Sequence, residues 1–213
     1  MNDNINKGGR VMLYKRLLFF VTVFVSCLLI SNIVASKLVM LWGLVIPAAV
    51  FVFPLTFLMT DVVNEVWGKA PARFMVLLGF GASLLLVGYL TLAQYLPAAP
   101  FWDGQQAYEM ILGAVPRIVL ASMVAYLVSQ FHDVWAFNFW KEKTHGKYLW
   151  LRNNLSTMSS QLIDTAIFIV IAFWGIVPND ILIVMVLSQY VIKLTIAVID
   201  TPICYILVKW VRG

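Results

Sequence analysis

Long apolar runs alternate with short polar stretches along this chain, and the runs are long enough to cross a membrane. A spanning α-helix needs about 20 mainly apolar residues. Six stretches meet this requirement: residues 17–40, 45–66, 74–96, 111–137, 155–176 and 181–210. They are continuous, unlike the alternating strands of about 10 residues in a membrane β-barrel. The pattern predicts an all-α integral membrane protein, a bundle of six transmembrane helices at residues 17–213 after a cytoplasmic tail at residues 1–16.

The composition excludes an ordinary soluble domain. Of the 213 residues, 62% are hydrophobic and only 12% are charged, and the mean hydropathy is +0.90. Soluble domains are nearer half apolar and a quarter charged, and they must leave much of their surface in water. The two cysteines, Cys27 and Cys204, lie inside apolar runs. They are therefore expected to behave as small hydrophobic residues and not as a disulfide or a metal site.

The positions of the cations predict the orientation of the bundle. Twelve of the fifteen Lys and Arg residues fall in the N-terminal tail, the loops after the second and fourth helices, and the C-terminus. Cytoplasmic loops carry such an excess, so both termini are predicted to be cytoplasmic. The net charge of +5 is explained by this distribution and by contact with lipid headgroups. Membrane lipid is therefore an expected partner, and nucleic acid is not.

Eight charged residues remain inside the predicted helices, where charge is expensive. Each costs several kcal/mol at the centre of a bilayer, so such residues are expected to face the bundle interior and to be paired or functional. The eight are Lys37, Asp61, Glu65, Arg117, Asp133, Asp164, Lys193 and Asp200.

The second helix ends in the polar motif "TDVVNEVWG", residues 60–68. Asp61 and Glu65 are four residues apart and share a helix face, which Asn64 widens. Asp61 is interpreted either as a ligand or gate, or as a buried partner of a cation such as Lys193. Glu65 is interpreted as a residue of the cytoplasmic rim. Pro54 is expected to kink this helix.

The fifth helix carries a polar stripe that stops at mid-membrane depth. Ser156, Ser160 and Asp164 recur every four residues, with Gln161 beside them, and the sequence beyond Asp164 is apolar. This arrangement favours a cavity open to the cytoplasm. The alternative is hydrogen bonding between helices by small polar residues, which is common in membranes.

The sixth helix offers two charges that are too far apart to pair with each other. Lys193 and Asp200 are seven residues apart, or about 10 Å along the axis, so each is expected to pair with another helix. The run Asp200-Thr201-Pro202 is expected to break the helix. On the fourth helix, Arg117 is expected to meet Asp103 or Glu109, as an outer gate or as a static bridge.

Several catalytic patterns are missing from the sequence. It has no glycine-rich phosphate loop and no HExxH motif, and only His132 and His145 are present. No reactive triad can be assembled, so we expect no enzymatic activity and no cofactor. Asp133, next to His132, is interpreted as a residue of the helix end.

Four long segments carry a family resemblance. They are "FPLTFLMTDVVNEVWGKAPAR", "AVPRIVLASMVAYLVSQFHDVWAFNFWK", "RNNLSTMSSQLIDT" and "KLTIAVIDTP". They resemble the queuosine-precursor transporters of the vitamin-uptake-transporter-like family, over roughly residues 31–209. The resemblance implies a six-helix protein of the bacterial inner membrane. It also implies import of 7-cyano-7-deazaguanine and 7-aminomethyl-7-deazaguanine, which are used to make the tRNA nucleoside queuosine.

The resemblance directs attention to part of the polar set. The family's recurring polar positions look like Asp61, Arg117, Asp133, Asp164 and Lys193, whereas Asn64 and Glu65 fall in a variable part of the motif. We predict a transporter of a small deazaguanine, with association of identical copies left open. The alternative is the substrate-binding membrane subunit of an ATP-driven vitamin or nucleobase importer. The predicted substrate-binding residues are Asp61, Asn64, Ser160, Gln161, Asp164, Lys193 and Asp200, and the predicted gate or structural ion-pair residues are Arg117, Asp133 and Glu65.

Overall fold

The structure is a computed structural model that describes the backbone of residues 2–41, 43–144 and 149–212. Side chains are described for most of these residues. The exceptions are residues 2–11, 141, 149–154, 197, 198, 200, 201 and 212.

The described residues form seven α-helices and one small hairpin. The helices are α1 (Asn2–Val34), α2 (Phe53–Trp67), α3 (Lys69–Tyr95), α4 (Gln105–Leu112), α5 (Val115–Lys143), α6 (Leu149–Phe173) and α7 (Asn179–Arg212). The strands are β1 (Leu38–Leu41) and β2 (Leu44–Pro47), followed by a turn of 3₁₀ helix at Ala48–Phe51. Six of the helical segments in the described part of the chain are long and apolar enough to cross a membrane. This confirms a predominantly helical membrane protein, while the orientation of the termini stays a prediction.

The hairpin corrects the predicted boundaries of the first two helices. α1 ends at Val34, and β1 pairs antiparallel with β2, so that Leu38 faces Pro47 and Leu41 faces Leu44. Gly43, in the turn, has a φ of 81°, a conformation that glycine adopts without strain. The sequence prediction failed here because a short apolar run fits a strand and a helix equally well.

Pro54 begins α2 and does not kink it. It lies in the first turn, where its missing N–H group has no intrahelical partner to lose. The hydroxyl of Thr56 donates a 2.6 Å hydrogen bond to the carbonyl of Phe53. Gly68, with a φ of 88°, separates α2 from α3 in a single residue.

Two further helix boundaries differ from prediction. α7 continues through Pro202, so the expected break at residues 200–202 is absent from the described backbone. α5 continues to Lys143, past the predicted end at residue 137. The prediction stopped early because the last turns of α5 are polar and hydropathy does not assign polar residues to a membrane span. Asp133 therefore lies well inside α5 and not at a helix end.

The core consists of two apolar clusters, one towards each end of the bundle. The first cluster joins α1, α2, α3 and the C-terminal part of α7. The second joins the N-terminal parts of α5 and α7 and the C-terminal part of α6 with the hairpin region. Along α7, Met185 belongs to the second cluster and Val208 to the first. Lys193 lies between them, so the polar residues of this helix occupy a level between the two clusters.

The contact between α1 and α3 is close at Gly79. A Cβ atom at this position would lie 2.6 Å from the ring of Phe24 and 2.7 Å from Leu28. Nearby, the amide of Asn32 donates a buried hydrogen bond of 3.1 Å to the hydroxyl of Ser83. The outward side of α3 carries large exposed apolar residues such as Leu85, as a lipid-facing helix requires.

Candidate functional site

Lys193 on α7 and Asp164 on α6 form an ion pair inside the bundle. The nitrogen Nζ of Lys193 lies 2.8 Å from Oδ2 of Asp164, and the two side chains are 10% and 21% exposed respectively. The same nitrogen donates a 3.1 Å hydrogen bond to the hydroxyl of Thr165. It lies 5.6 Å from the centre of the Phe53 ring on α2. Lys193 thus pairs across helices, as expected, and its partner is Asp164 and not Asp61.

Thr165 holds the lysine through a chain of two hydrogen bonds. Its hydroxyl donates to the backbone carbonyl of Gln161 at 2.8 Å, so its lone pairs are left to accept from Lys193. Thr165 is fully buried. With two N–H groups bonded, the ammonium has the face of the Phe53 ring as a further attractive neighbour. The charge of Asp164 is therefore balanced by a cation whose own position is fixed on three sides.

A second link joins α5 to α6 at the next level of the stripe. Nδ1 of His132 lies 2.9 Å from the hydroxyl oxygen of Ser160, which is buried. On the other side of α6, the hydroxyl of Tyr190 donates to the carbonyl of Met158 at 3.2 Å. The predicted stripe on α6 therefore contacts α5 at Ser160 and α7 at Asp164, which places it at the junction of three helices.

Three buried acceptor atoms near these links have no hydrogen-bond partner among the described residues. They are Oε1 of Gln161, Oε1 of Gln189 and Oδ1 of Asp133. Gln161 follows Ser160 on α6, Asp133 follows His132 on α5, and Gln189 lies one turn from Lys193 on α7. A buried acceptor without a donor costs about 1–3 kcal/mol. The region is therefore rich in acceptors that a bound molecule with N–H groups would satisfy.

The polar residues of α2 lie apart from the ion pair. Asp61, Asn64 and Glu65 are exposed on the helix surface. By helix geometry, Asp61 and Asn64 share the face of Phe53, and Asp61 lies about 12 Å further along the axis. Glu65 is at the edge of that face. The face therefore leads from the ion pair towards the end of α2.

Arg117 links α5 to the C-terminal end of α6. Its Nε donates to the carbonyl of Ile171 and its Nη2 to the carbonyl of Trp174, both at 2.5 Å. The last carbonyls of a helix lack intrahelical donors and carry partial negative charge, so they attract a cation. Arg117 therefore contacts neither Asp103 nor Glu109, the carboxylates expected from the sequence.

Two remaining points complete the site. The side chain of Asp200, predicted to bind substrate, lies outside the described residues. Within the described part of the chain, no group of three or more His, Cys, Asp or Glu side chains is placed to hold a metal ion.

The sequence of residues 47–207 matches the family described as "Putative vitamin uptake transporter". The chain belongs to this family. A relative named "Probable queuosine precursor transporter", from Bacillus subtilis (strain 168), is 36% identical over 82% of this chain and 77% of its own length. The "Queuosine precursor transporter" of Escherichia coli (strain K12) is 28% identical over 80% of this chain and 74% of its own length. No solved structure matches the chain significantly.

This member of the vitamin uptake transporter family is thus a multi-pass membrane protein, which in bacteria resides in the inner membrane. Sequence reasoning missed two of its residues. From the sequence, His132 is interpreted only as the neighbour of Asp133 at a helix end. In the structure it lies on the inward face of α5, one turn from the buried Ala136, and contacts Ser160 of α6. Thr165 escaped notice because an intrahelical hydroxyl bond is its ordinary role.

Proposed function

We propose that this chain imports queuosine precursors, namely 7-cyano-7-deazaguanine and 7-aminomethyl-7-deazaguanine, across the cytoplasmic membrane for salvage into tRNA. Both termini face the cytoplasm in this proposal, and the protein performs no catalysis. The observation that carries it is the balanced pair of Asp164 and Lys193, placed between two apolar clusters and beside buried acceptors without donors. The names of the two relatives support the substrate class.

The chemistry of a deazaguanine fits an acceptor-rich site. Its flat ring presents a donor edge, formed by a ring N–H group and an exocyclic amino group. A site built to hydrogen-bond such an edge rejects analogues that lack it. In the proposal, Asp164 and Gln161 accept from this edge, and Ser160 belongs to the same surface. Asp200 stays a binding residue predicted from the sequence alone. Lys193 balances the charge of Asp164, so the uncharged ring of the substrate can bind without leaving a buried carboxylate alone.

Aromatic contact supplies a second element of recognition. Stacking of a base on an aromatic ring contributes about 1–3 kcal/mol in nucleic-acid complexes and tolerates changes at the ring edge. Phe53 lies against the ammonium of Lys193 and is the aromatic ring that we propose flanks the substrate. Asp61 and Asn64, further along the same face of α2, then line the cytoplasmic part of the path, with Glu65 at its rim.

The proposal leaves a supporting role to two other polar residues. Arg117 holds the outer end of α6 and thereby fixes the helix that carries Asp164. Asp133 lies beside the His132–Ser160 link, and its buried oxygen adds to the acceptors on the α5 side.

The test is salvage in a bacterial strain that can neither synthesise queuosine precursors nor import them. Cells expressing the wild-type chain are expected to form queuosine in tRNA when either precursor is supplied. Lys193→Met and Asp164→Asn are expected to abolish it. The matched controls Lys37→Met and Asp180→Asn alter exposed side chains and are expected to leave it intact.

Two outcomes would contradict the proposal. Salvage at the wild-type rate by both site variants, at equal amounts in the membrane, would refute the site. Failure of the wild-type chain to support salvage, while present in the membrane, would refute the substrate. Uptake that stops on depletion of ATP while the membrane potential is maintained would instead identify the chain as a subunit of an ATP-driven importer.

A further inference from the structure

Gln189 is a buried polar residue that the proposed site does not use. It lies on α7 and is only 6% exposed, and its acceptor Oε1 has no partner among the described residues. Most buried polar atoms in proteins are hydrogen-bonded, and an exception calls for an explanation. An apolar side chain of similar size would fill the same space without the cost of an unsatisfied acceptor.

Gln189 lies next to the ion pair. It precedes Lys193 by four residues, so the two side chains lie one above the other, about 6 Å apart along the axis. Gln189 is on the side of the second apolar cluster, to which Met185, four residues earlier, belongs. Gln189 therefore lies where the polar residues of α7 meet the second apolar cluster.

Two neighbouring donors on α7 already have partners of their own. The ammonium of Lys193 is bonded to Asp164 and Thr165 and lies against the Phe53 ring. The hydroxyl of Tyr190 donates to the carbonyl of Met158. Oε1 of Gln189 has no partner among the described residues, and a molecule bound beside the ion pair would be in position to supply one.

We infer that the amide oxygen of Gln189 accepts a hydrogen bond from the exocyclic amino group of the substrate, and that Gln189 thereby determines the preference for a 2-amino purine-like ring. The inference rests on the proposed function and deepens it. A neutral acceptor suits this task because an N–H group of an uncharged ring can satisfy it without bringing another charge into the bundle. Gln161, at the other side of the ion pair on α6, is the matching neutral acceptor.

The first experiment compares two ligands that differ only in the amino group. Uptake of labelled 7-cyano-7-deazaguanine is measured in competition with the unlabelled compound and with its analogue lacking the 2-amino group, 7-cyano-7-deazahypoxanthine. The wild-type chain is expected to prefer the amino compound by about tenfold or more, the size of one hydrogen bond to a buried acceptor. Gln189→Met is expected to reduce this preference to about twofold or less, and the control Gln130→Met, at an exposed position of α5, is expected to retain it.

The second experiment uses the melting temperature of the purified protein and does not depend on transport. Gln189→Met removes an unsatisfied acceptor, so the ligand-free variant is expected to melt at or above the wild-type temperature. Addition of 7-cyano-7-deazaguanine is expected to raise its melting temperature less than that of the wild type.

These measurements separate the two proposals. If the wild-type chain neither imports nor binds the precursor, the proposed function fails. If the wild type transports and Gln189→Met keeps the full preference for the amino group, only the assignment of Gln189 fails, as it would if water satisfied the acceptor. A ligand-free variant that melts well below the wild type would show that Gln189 has a structural partner, and this would also overturn the assignment.

Discussion

Replacement of Lys193 by methionine tests whether the ion pair is one coupled unit. The substitution keeps most of the length of the side chain and removes its charge, so that Asp164, which is only 21% exposed, loses its cation. With an effective dielectric constant of about 20, unit charges 2.8 Å apart attract each other by about 6 kcal/mol. Removal of both charges from water costs several kcal/mol for each ion, so the intact pair contributes little net stability.

The loss of one partner is much more expensive than the loss of both. A buried charge left without its partner destabilises a protein by about 3–5 kcal/mol. For chains of this size, 1 kcal/mol corresponds to about 2–4 °C in melting temperature. Lys193→Met and Asp164→Asn are therefore each expected to melt on the order of 10 °C below the wild type. The double variant has no unpaired charge and is expected to recover most of this loss.

The assay is a double-mutant cycle on protein purified in detergent, followed by intrinsic fluorescence, together with uptake in cells. The double variant is expected to regain thermal stability without regaining transport, because the carboxylate and its balancing cation are both gone. Single-variant shifts that simply add in the double variant would refute the coupling. A double variant that is stable and transports at the wild-type rate would refute a role in substrate binding and leave the pair purely structural.

Three further predictions concern the scaffold, and each is measured as the melting temperature of the purified variant. Gly79→Ala is expected to destabilise by about 1–3 kcal/mol, because the new methyl group overpacks the α1–α3 contact, whereas Gly81→Ala, with open space around it, is expected to be neutral or slightly stabilising. Arg117→Met is expected to lower the free energy of unfolding by about 3 kcal/mol, because it removes two hydrogen bonds to the end of α6. Arg117→Lys is expected to lower it somewhat less. Gly43→Ala is expected to lower the free energy of unfolding by about 1–2 kcal/mol, since the φ of Gly43 is in the left-handed region.

Each of these has a contradicting result. Equal effects at the two α3 glycines would show that the α1–α3 distance adjusts freely. A neutral Arg117→Met would show that water satisfies the carbonyls equally well. An unaffected Gly43→Ala would show that the hairpin turn does not control stability.

The helical bundle was predictable because a bilayer demands a simple sequence pattern. Every backbone polar group must be satisfied within the membrane, so each span appears as a long apolar run. The same constraint made the charges informative, since Lys193 and Asp164 are too costly to bury separately. The pairing itself required the structure, because Asp61 offered an equally suitable carboxylate and sequence spacing cannot decide between two neighbouring helices.

The local breaks were not predictable, because apolar residues carry little information about backbone geometry. The four-residue strands contain the same Leu, Val and Ile residues as the helices around them, so the hydropathy does not change at their boundaries. Pro54 was ambiguous for a different reason. Proline kinks a helix in its interior and favours the first turn, and only the position of the helix start distinguishes the two.

The hairpin determines where α2 begins, and this has a consequence for the site. α2 has 15 residues and spans about 22 Å, less than the roughly 30 Å of the hydrocarbon core. β2 and the 3₁₀ turn precede α2, and such non-helical backbone is tolerated within a membrane where it is buried in protein, as Ile46, Ala49 and Val50 are. The first residue of α2, Phe53, consequently lies at the level of Lys193. The binding sites of many transporters are formed by interrupted helices whose ends lie inside the membrane. The start of α2 at Phe53 places a helix end beside the ion pair, and a continuous second helix would not do so.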